Sequence, residues 1–344
     1  MRSILLQTIV YFLLTLQISY AQTVVKYTSG SFPLKKELKA TKVAMIDELV
    51  NPVQILMIDE NTVILNNPDV SPAFHVVNLK TGKIINQFGL KGQGPGEIIY
   101  PFSCQLINEN KIMVHDLNGK KLLFYNLDEI LTGNKHLMPS ILKLSPLLYP
   151  RKVYSLSTGY YFVNLLGHKD GYSNCLMNSE GEATRFLTMY PKLGFDYNMN
   201  IASNYFGTFS DVSPDGNTVV AAYSDWDRIE IFDEEGSLHT VIKGPLFAEL
   251  NEKSSNSLVN KVLRSGKTFY KSPIAGNSAF MVPFSGRDFR IGTYNTLYWF
   301  GNDGKPLANF NLDRNIKAFT VDWDQRIIYG INIDMEPEIL KFQF

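Results

Sequence analysis

The sequence predicts an all-β chain, a six-bladed β-propeller of four-stranded antiparallel blades, on three observations. A phrase of apolar strand, tight polar turn and apolar strand recurs six times; the copies stand about 50 residues apart; and several are followed by a second hairpin of the same form. The phrase occupies residues 54–65 (QILMIDENTVIL), 104–114, 153–163, 210–221, 318–329 and, less regularly, 274–282. The second hairpin is plainest at 74–88, 229–242 and 297–310, where Thr81-Gly82, Glu235-Gly236 and Asp303-Gly304 supply the positive φ of a tight turn. Four strands per unit and six units of this length account for nearly all of the chain beyond residue 21.

The sixth unit reaches Phe344 after three strands. Its fourth strand is therefore expected from the N-terminal stretch 23–46, pairing with the last segment and removing an open edge from the ring.

Ahead of that stretch, Arg2 is followed by residues 4–16, apolar apart from Gln7, Thr8 and Thr15, and then by Ser19-Tyr20-Ala21 and Gln22. This is the pattern of a cleavable signal peptide, with an apolar core shorter than the roughly 20 residues of a membrane span. The expected organisation is a signal peptide at 1–21 and one propeller domain at 22–344, exported to the periplasm or the cell exterior. No cysteine near the cut could carry a lipid.

Composition narrows the function. The chain has 33 Lys+Arg against 33 Asp+Glu, with 45% hydrophobic residues. Such a balance leaves no excess positive charge for a nucleic-acid backbone and supports a large core. Cys104 and Cys175 fall in apolar strand-like runs of different units and are expected as buried free thiols; neither has the paired spacing of a zinc site.

At residues 87–97 (QFGLKGQGPGE) the sequence resembles the TolB-like six-bladed β-propeller family of exported Bacteroidetes proteins, whose phrase is FG-x-x-G-x-GPGEF; Ile98 stands where that family has Phe. The stretches 298–307, 318–322 and 328–330 resemble the family's closing blades. The resemblance implies the propeller fold and an envelope location. It brings no catalytic residue with it. Read physically, Gly92, Gly94 and Gly96 lack the Walker spacing and a following capped helix, so a tight crossing between the first two blades is expected, with Glu97 accepting from exposed backbone N–H groups.

In a propeller the connections between blades and the loops between second and third strands emerge on one face. The long crossings at 132–151, 189–207 and 244–272 fall there. Leu258, Val259, Val262 and Leu263, with Gly266 after them, predict one or two short helices in the 244–272 insertion. The second-to-third-strand loops bring His168, Trp226, Arg287 and Asp288 to one rim, where an exposed indole beside charges suits a sugar or peptide. The expected function is a non-catalytic binding or scaffold propeller recognising a glycan, peptide or protein partner through this face, without a cofactor. The alternative is a calcium-dependent hydrolase or lactonase with its metal in the central channel, for which Asp211, Asp322 and Asn108 are the candidate oxygen ligands. No G-x-S-x-G elbow occurs, and His75, His115, His136, His168 and His239 are scattered.

Overall fold

The computed structural model describes residues 22–46, 48–134, 137–193, 202–203, 205–255, 257, 267–288 and 293–344. The described residues open on three short strands, β1 (Thr23–Lys26), β2 (Leu34–Leu38) and β3 (Thr41–Met45). The first blade follows as β4 (Gln54–Asp59), β5 (Thr62–Asn66), β6 (Phe74–Asn78) and β7 (Lys83–Phe88). The second comprises β8 (Pro101–Asn108), β9 (Lys111–Asp116), β10 (Lys121–Asn126) and β11 (Ser140–Lys143), with a short helix, Leu127–Leu131, between its last two strands. The third is β12 (Pro150–Ser155), β13 (Tyr161–Leu165), β14 (Asn174–Met177) and β15 (Ala183–Phe186). The fourth is β16 (Thr208–Val212), β17 (Thr218–Tyr223), β18 (Arg228–Asp233) and β19 (Leu238–Lys243). In the fifth blade the inner position is split between β20 (Lys267–Tyr270) and β21 (Ile274–Ala275), both paired with β22 (Ala279–Asp288), and β23 (Tyr294–Gly301) and β24 (Pro306–Ile316) complete it. The sixth holds β25 (Ala318–Asp322), β26 (Ile327–Asn332) and β27 (Glu338–Gln343).

The expected ring closure is present: β3 runs antiparallel to β27, with Glu338 opposite Met45 and Lys341 opposite Thr41. The two strands before it do something the repeat pattern did not announce. β1 lies parallel on the outer edge of β19, and β2 lies parallel on the outer edge of β24. The N-terminal segment thus belts three consecutive blades, covering two open edges and supplying the fourth strand of the last blade.

The middle strands read as unbroken apolar runs because both faces of every blade are covered. Along β5, Val63 and Leu65 pack toward the sixth blade, whereas Ile64 packs toward the second. Along β17, Val219 and Ala221 face the third blade and Val220 and Ala222 face the fifth. Period-two alternation therefore divides each strand between two apolar layers, and six such layers separate the six pairs of neighbouring blades.

Two expectations are corrected. The stretch 132–151 is not a plain crossing, since it contains β11, the outermost strand of the second blade, which pairs with β10 from Lys121↔Lys143 to Phe124↔Ser140. Its polar ends hid a strand whose burial is slight. The insertion at 244–272 includes β20; the helices expected at 258–263 lie outside the described residues. Among the described residues no helix is long and apolar enough to cross a membrane.

Candidate functional site

The first strands of the blades splay round the axis and do not pair with one another, leaving a channel of about 810 Å³ walled by residues of all six blades. Strands that diverge leave backbone N–H and C=O groups outside any ladder, and side chains from the neighbouring blade take them up. Gln54 of β4 exchanges two hydrogen bonds with the backbone of Cys104 on β8, at 2.7 and 2.9 Å. Gln105 of β8 accepts from the Ser155 N–H of β12 at 2.9 Å. The Tyr154 hydroxyl of β12 donates to the Ser210 carbonyl of β16. Asp211 of β16 accepts from the Ala275 N–H of β21 at 2.8 Å. Four successive blade junctions are stitched in this way.

The loop-face end of the channel is cationic. Lys152, on the third residue of β12, Lys271, three residues before β21, and Lys317, immediately before β25, all line the cavity. Beside them the Arg151 guanidinium carbon sits 4.7 Å from the centre of the Phe209 ring, and Lys271 Nζ lies 5.8 Å from the same ring. Burial pushes the Lys152 ammonium down to about 8, Arg151 adding to the push and Asp211 opposing it. Burial likewise lowers Lys271, Lys317 and Arg151. Lys317 donates to the Asn51 side chain, and Lys152 Nζ is 3.5 Å from Ser272 Oγ. The Asp211 carboxyl, buried deeper along the wall, is pushed up to about 6, with Ala275 and Lys152 opposing the burial.

The rim residues expected from sequence do not form one exposed cluster. Trp226 is 6% exposed: its indole stacks on Phe247 at 5.1 Å, meets Phe206 and Tyr223 edge-on, and donates from Nε1 to the Ala248 carbonyl at 2.9 Å. It is the centre of a small apolar cluster that pins the 244–250 connection down, which corrects the exposed ring expected there. His168 is half-buried on the third blade's loop, packed against Tyr172 and Phe186. Arg287 and Asp288 lie at the end of β22, opposite Thr268 and Lys267. Neither His168 nor Trp226 lines the channel.

The three candidate calcium ligands do not converge. Asp211 is engaged with Ala275, Asp322 accepts from the Gln325 N–H of its own turn, and Asn108 accepts from the Asn110 N–H. Among the described residues no group of three or more His, Cys, Asp or Glu is placed to share a metal ion. His75 is buried, at 2% exposed. His115 is buried and pushed down to about 4 by that burial, while His239 pairs with Asp233 at 2.7 Å. His136 lies outside the described residues. Both cysteines are buried free thiols. The glycine-rich phrase is the expected crossing between β7 and β8, and Glu97 accepts from the Gly94 N–H at 2.7 Å.

The three lysines carry little local sequence signal, because single lysines near strand starts are common. The available signal was positional: in three units a lysine stands at the loop-face end of the inner strand, where apolar or small residues otherwise dominate.

Comparison with known proteins agrees with this architecture. Residues 47–200 match a protein family described as a 6-bladed β-propeller. The chain is a six-bladed β-propeller. An exported protein of Bacteroides fragilis has a similar structure, with a TM-score of 0.61 at 15% identity, covering 93% of this chain and 99% of that one. A duf4221 family member from Bacteroides vulgatus gives 0.58 at 12% identity, covering 90% and 96%. Raptor of Chaetomium thermophilum gives 0.51 at 13% identity, covering 88% of this chain and 28% of Raptor. None of the curated proteins matches in sequence.

Proposed function

We propose that this propeller is an exported, non-catalytic binding module that receives its ligand, a glycan or peptide or a segment of a protein partner, in the central channel from the loop face. The observation that carries this reading is the channel itself. It is a concave site of ligand-binding size, walled by a rigid ring and lined by aromatic and amide side chains with a few charged groups at one end. The polar groups along its wall, Gln54, Gln105, Tyr154 and Asp211, are engaged in holding adjacent blades together, a structural role rather than a chemical one. Export is supported by the N-terminal sequence pattern and by the exported Bacteroides structure with the same fold. The finer resemblance to TolB-like exported propellers fits the same reading.

The test is a thermal-shift screen of the chain from Gln22 onward against mono- and oligosaccharides and short peptides, with each hit repeated on Ala318→Trp, which places an indole in the channel wall. Hits that disappear in a variant melting like the parent support channel binding. Hits that persist place the site elsewhere.

A further inference from the structure

Resting on the channel as the binding site, the chemistry of its mouth narrows the ligand. Lys152 comes from the third blade, Lys271 from the fifth and Lys317 from the sixth, so the lysines are drawn to the mouth from separate parts of the ring, and Arg151 of the third blade adjoins them against Phe209. Among the described residues none of the four is within 4.0 Å of a carboxylate. Three acids interact with them and are otherwise occupied: Asp211 accepts from the Ala275 N–H, the 7% exposed Asp225 accepts from the Ser224 hydroxyl, and Asp69, the acid that faces Lys317, accepts from the Asn51 amide. Four cations against three committed acids leave an excess of positive charge in a partly desolvated site, which an anion would relieve. The cavity far exceeds an inorganic ion in volume, and Phe209, Phe102, Tyr294 and Phe319 line it, so the anion should carry an organic body.

We infer that the mouth binds a small organic carboxylate, its charge held among Lys152, Lys271 and Lys317 and its body against Phe209. The lysines offer single, separately mounted donors and not the convergent backbone N–H groups or paired guanidinium forks that favour phosphate. One carboxylate chemistry has two sources, an acidic sugar and an acidic peptide.

Calorimetry at pH 7 and low ionic strength separates them with digalacturonate, the Glu-Glu dipeptide, neutral digalactose and inorganic phosphate as probes. The expected result is binding of at least one carboxylate probe and none of digalactose, with affinity reduced roughly tenfold or more in both Lys271→Gln and Lys317→Gln and weakened by added salt. Digalacturonate alone binding assigns the acidic sugar; Glu-Glu alone assigns the peptide. Digalactose binding as tightly as digalacturonate, and lost in Ala318→Trp, overturns the carboxylate assignment and leaves channel binding intact. Phosphate binding as tightly as either carboxylate probe overturns it too, as does carboxylate binding unchanged in both glutamine variants. Binding by none of the probes overturns the carboxylate assignment; only the failure of every hit in the wider screen to depend on the channel overturns the binding reading itself. Circular dichroism and melting of both variants establish that they fold, since each glutamine replaces a half-exposed lysine.

Discussion

Gln54 and Cys104, on adjacent blades, are joined by a reciprocal pair of hydrogen bonds: Gln54 Nε2 donates to the Cys104 carbonyl at 2.7 Å and the Cys104 N–H donates to Gln54 Oε1 at 2.9 Å. An amide side chain imitates a missing strand partner, satisfying both backbone groups of one residue at once. Gln54→Ala should cost about 2 kcal/mol, the usual worth of leaving such groups unpaired in a partly buried site. Gln54→Glu keeps the acceptor but loses the donor and should fall between the two. Chemical denaturation of the three proteins checks the order, and an alanine variant as stable as the parent would remove the bridge from the account.

The N-terminal belt is held by a buried relay. Tyr27 and Tyr270 hydroxyls lie 2.6 Å apart, and Tyr270 donates to Asp227 Oδ1 at 2.5 Å, while the Leu246 N–H donates to Oδ2 at 2.8 Å. Tyr270→Phe strips a buried carboxylate of a donor and should cost about 2–3 kcal/mol; Tyr27→Phe removes a hydroxyl–hydroxyl contact and should cost about 1 kcal/mol. A chain starting at Leu49 lacks all three belt strands, opening the edges of β19, β24 and β27. It should aggregate or melt far lower than the chain from Gln22 on size-exclusion and calorimetry; equal behaviour would contradict closure by the N-terminus.

How much of this was readable in advance depends on whether a feature is local. Strand, turn and strand of each inner hairpin lie within a dozen residues, so alternation and turn glycines disclosed them, and the shortage of strands at the C-terminus disclosed the closing strand. β1 and β2 were not legible because their partners lie some 200 to 270 residues away and their own burial is slight. Trp226 was misplaced for a similar reason: a loop indole flanked by two aspartates reads as exposed, and only the folding back of Phe247 and Leu250 buries it. The lysine mouth is assembled from three blades, and no window of sequence contains it.

Asp211 gives a pH signature. Its native carboxyl is raised by burial to about 6, above the roughly 3.9 of an unfolded chain. The native state therefore holds the proton more tightly; the resulting stabilisation is full below about pH 4 and is lost as pH rises through about 6. Asp211→Asn keeps an acceptor for Ala275 and has no charge to desolvate. The variant should gain melting temperature on the parent as pH climbs from 4 to 7 and should show the smallest difference near pH 4. The opposite trend would mean that the carboxylate is held chiefly by Lys152.

Gly216, at φ 76°, turns the inner hairpin of the fourth blade, and a Cβ there would meet the Ser157 nitrogen at 2.6 Å. Both the backbone conformation and the close approach of the third blade oppose a side chain, so Gly216→Ala should destabilise by about 1–3 kcal/mol in urea unfolding. Gly133, also left-handed but with open space beside it, should tolerate alanine better, which separates the two contributions.

Burial pushes both thiols up to about 12. Ellman's reagent at pH 8 should modify neither Cys104 nor Cys175 in the native protein and both after unfolding without reductant. Rapid native reaction would contradict the packing of β8 or β14, and no reaction after unfolding would mean that a disulfide joins them.

The central claim is that ligand sits in the loop-face mouth of the channel, and lysine footprinting tests it directly. The protein is acetylated with and without a saturating probe from the thermal screen, and each lysine's modification is quantified by mass spectrometry. Selective protection of Lys152, Lys271 and Lys317, with Lys80 and Lys83 on the opposite turns unchanged, is the expected result. Unchanged labelling at all three mouth lysines, or protection confined to other surfaces, would contradict the claim.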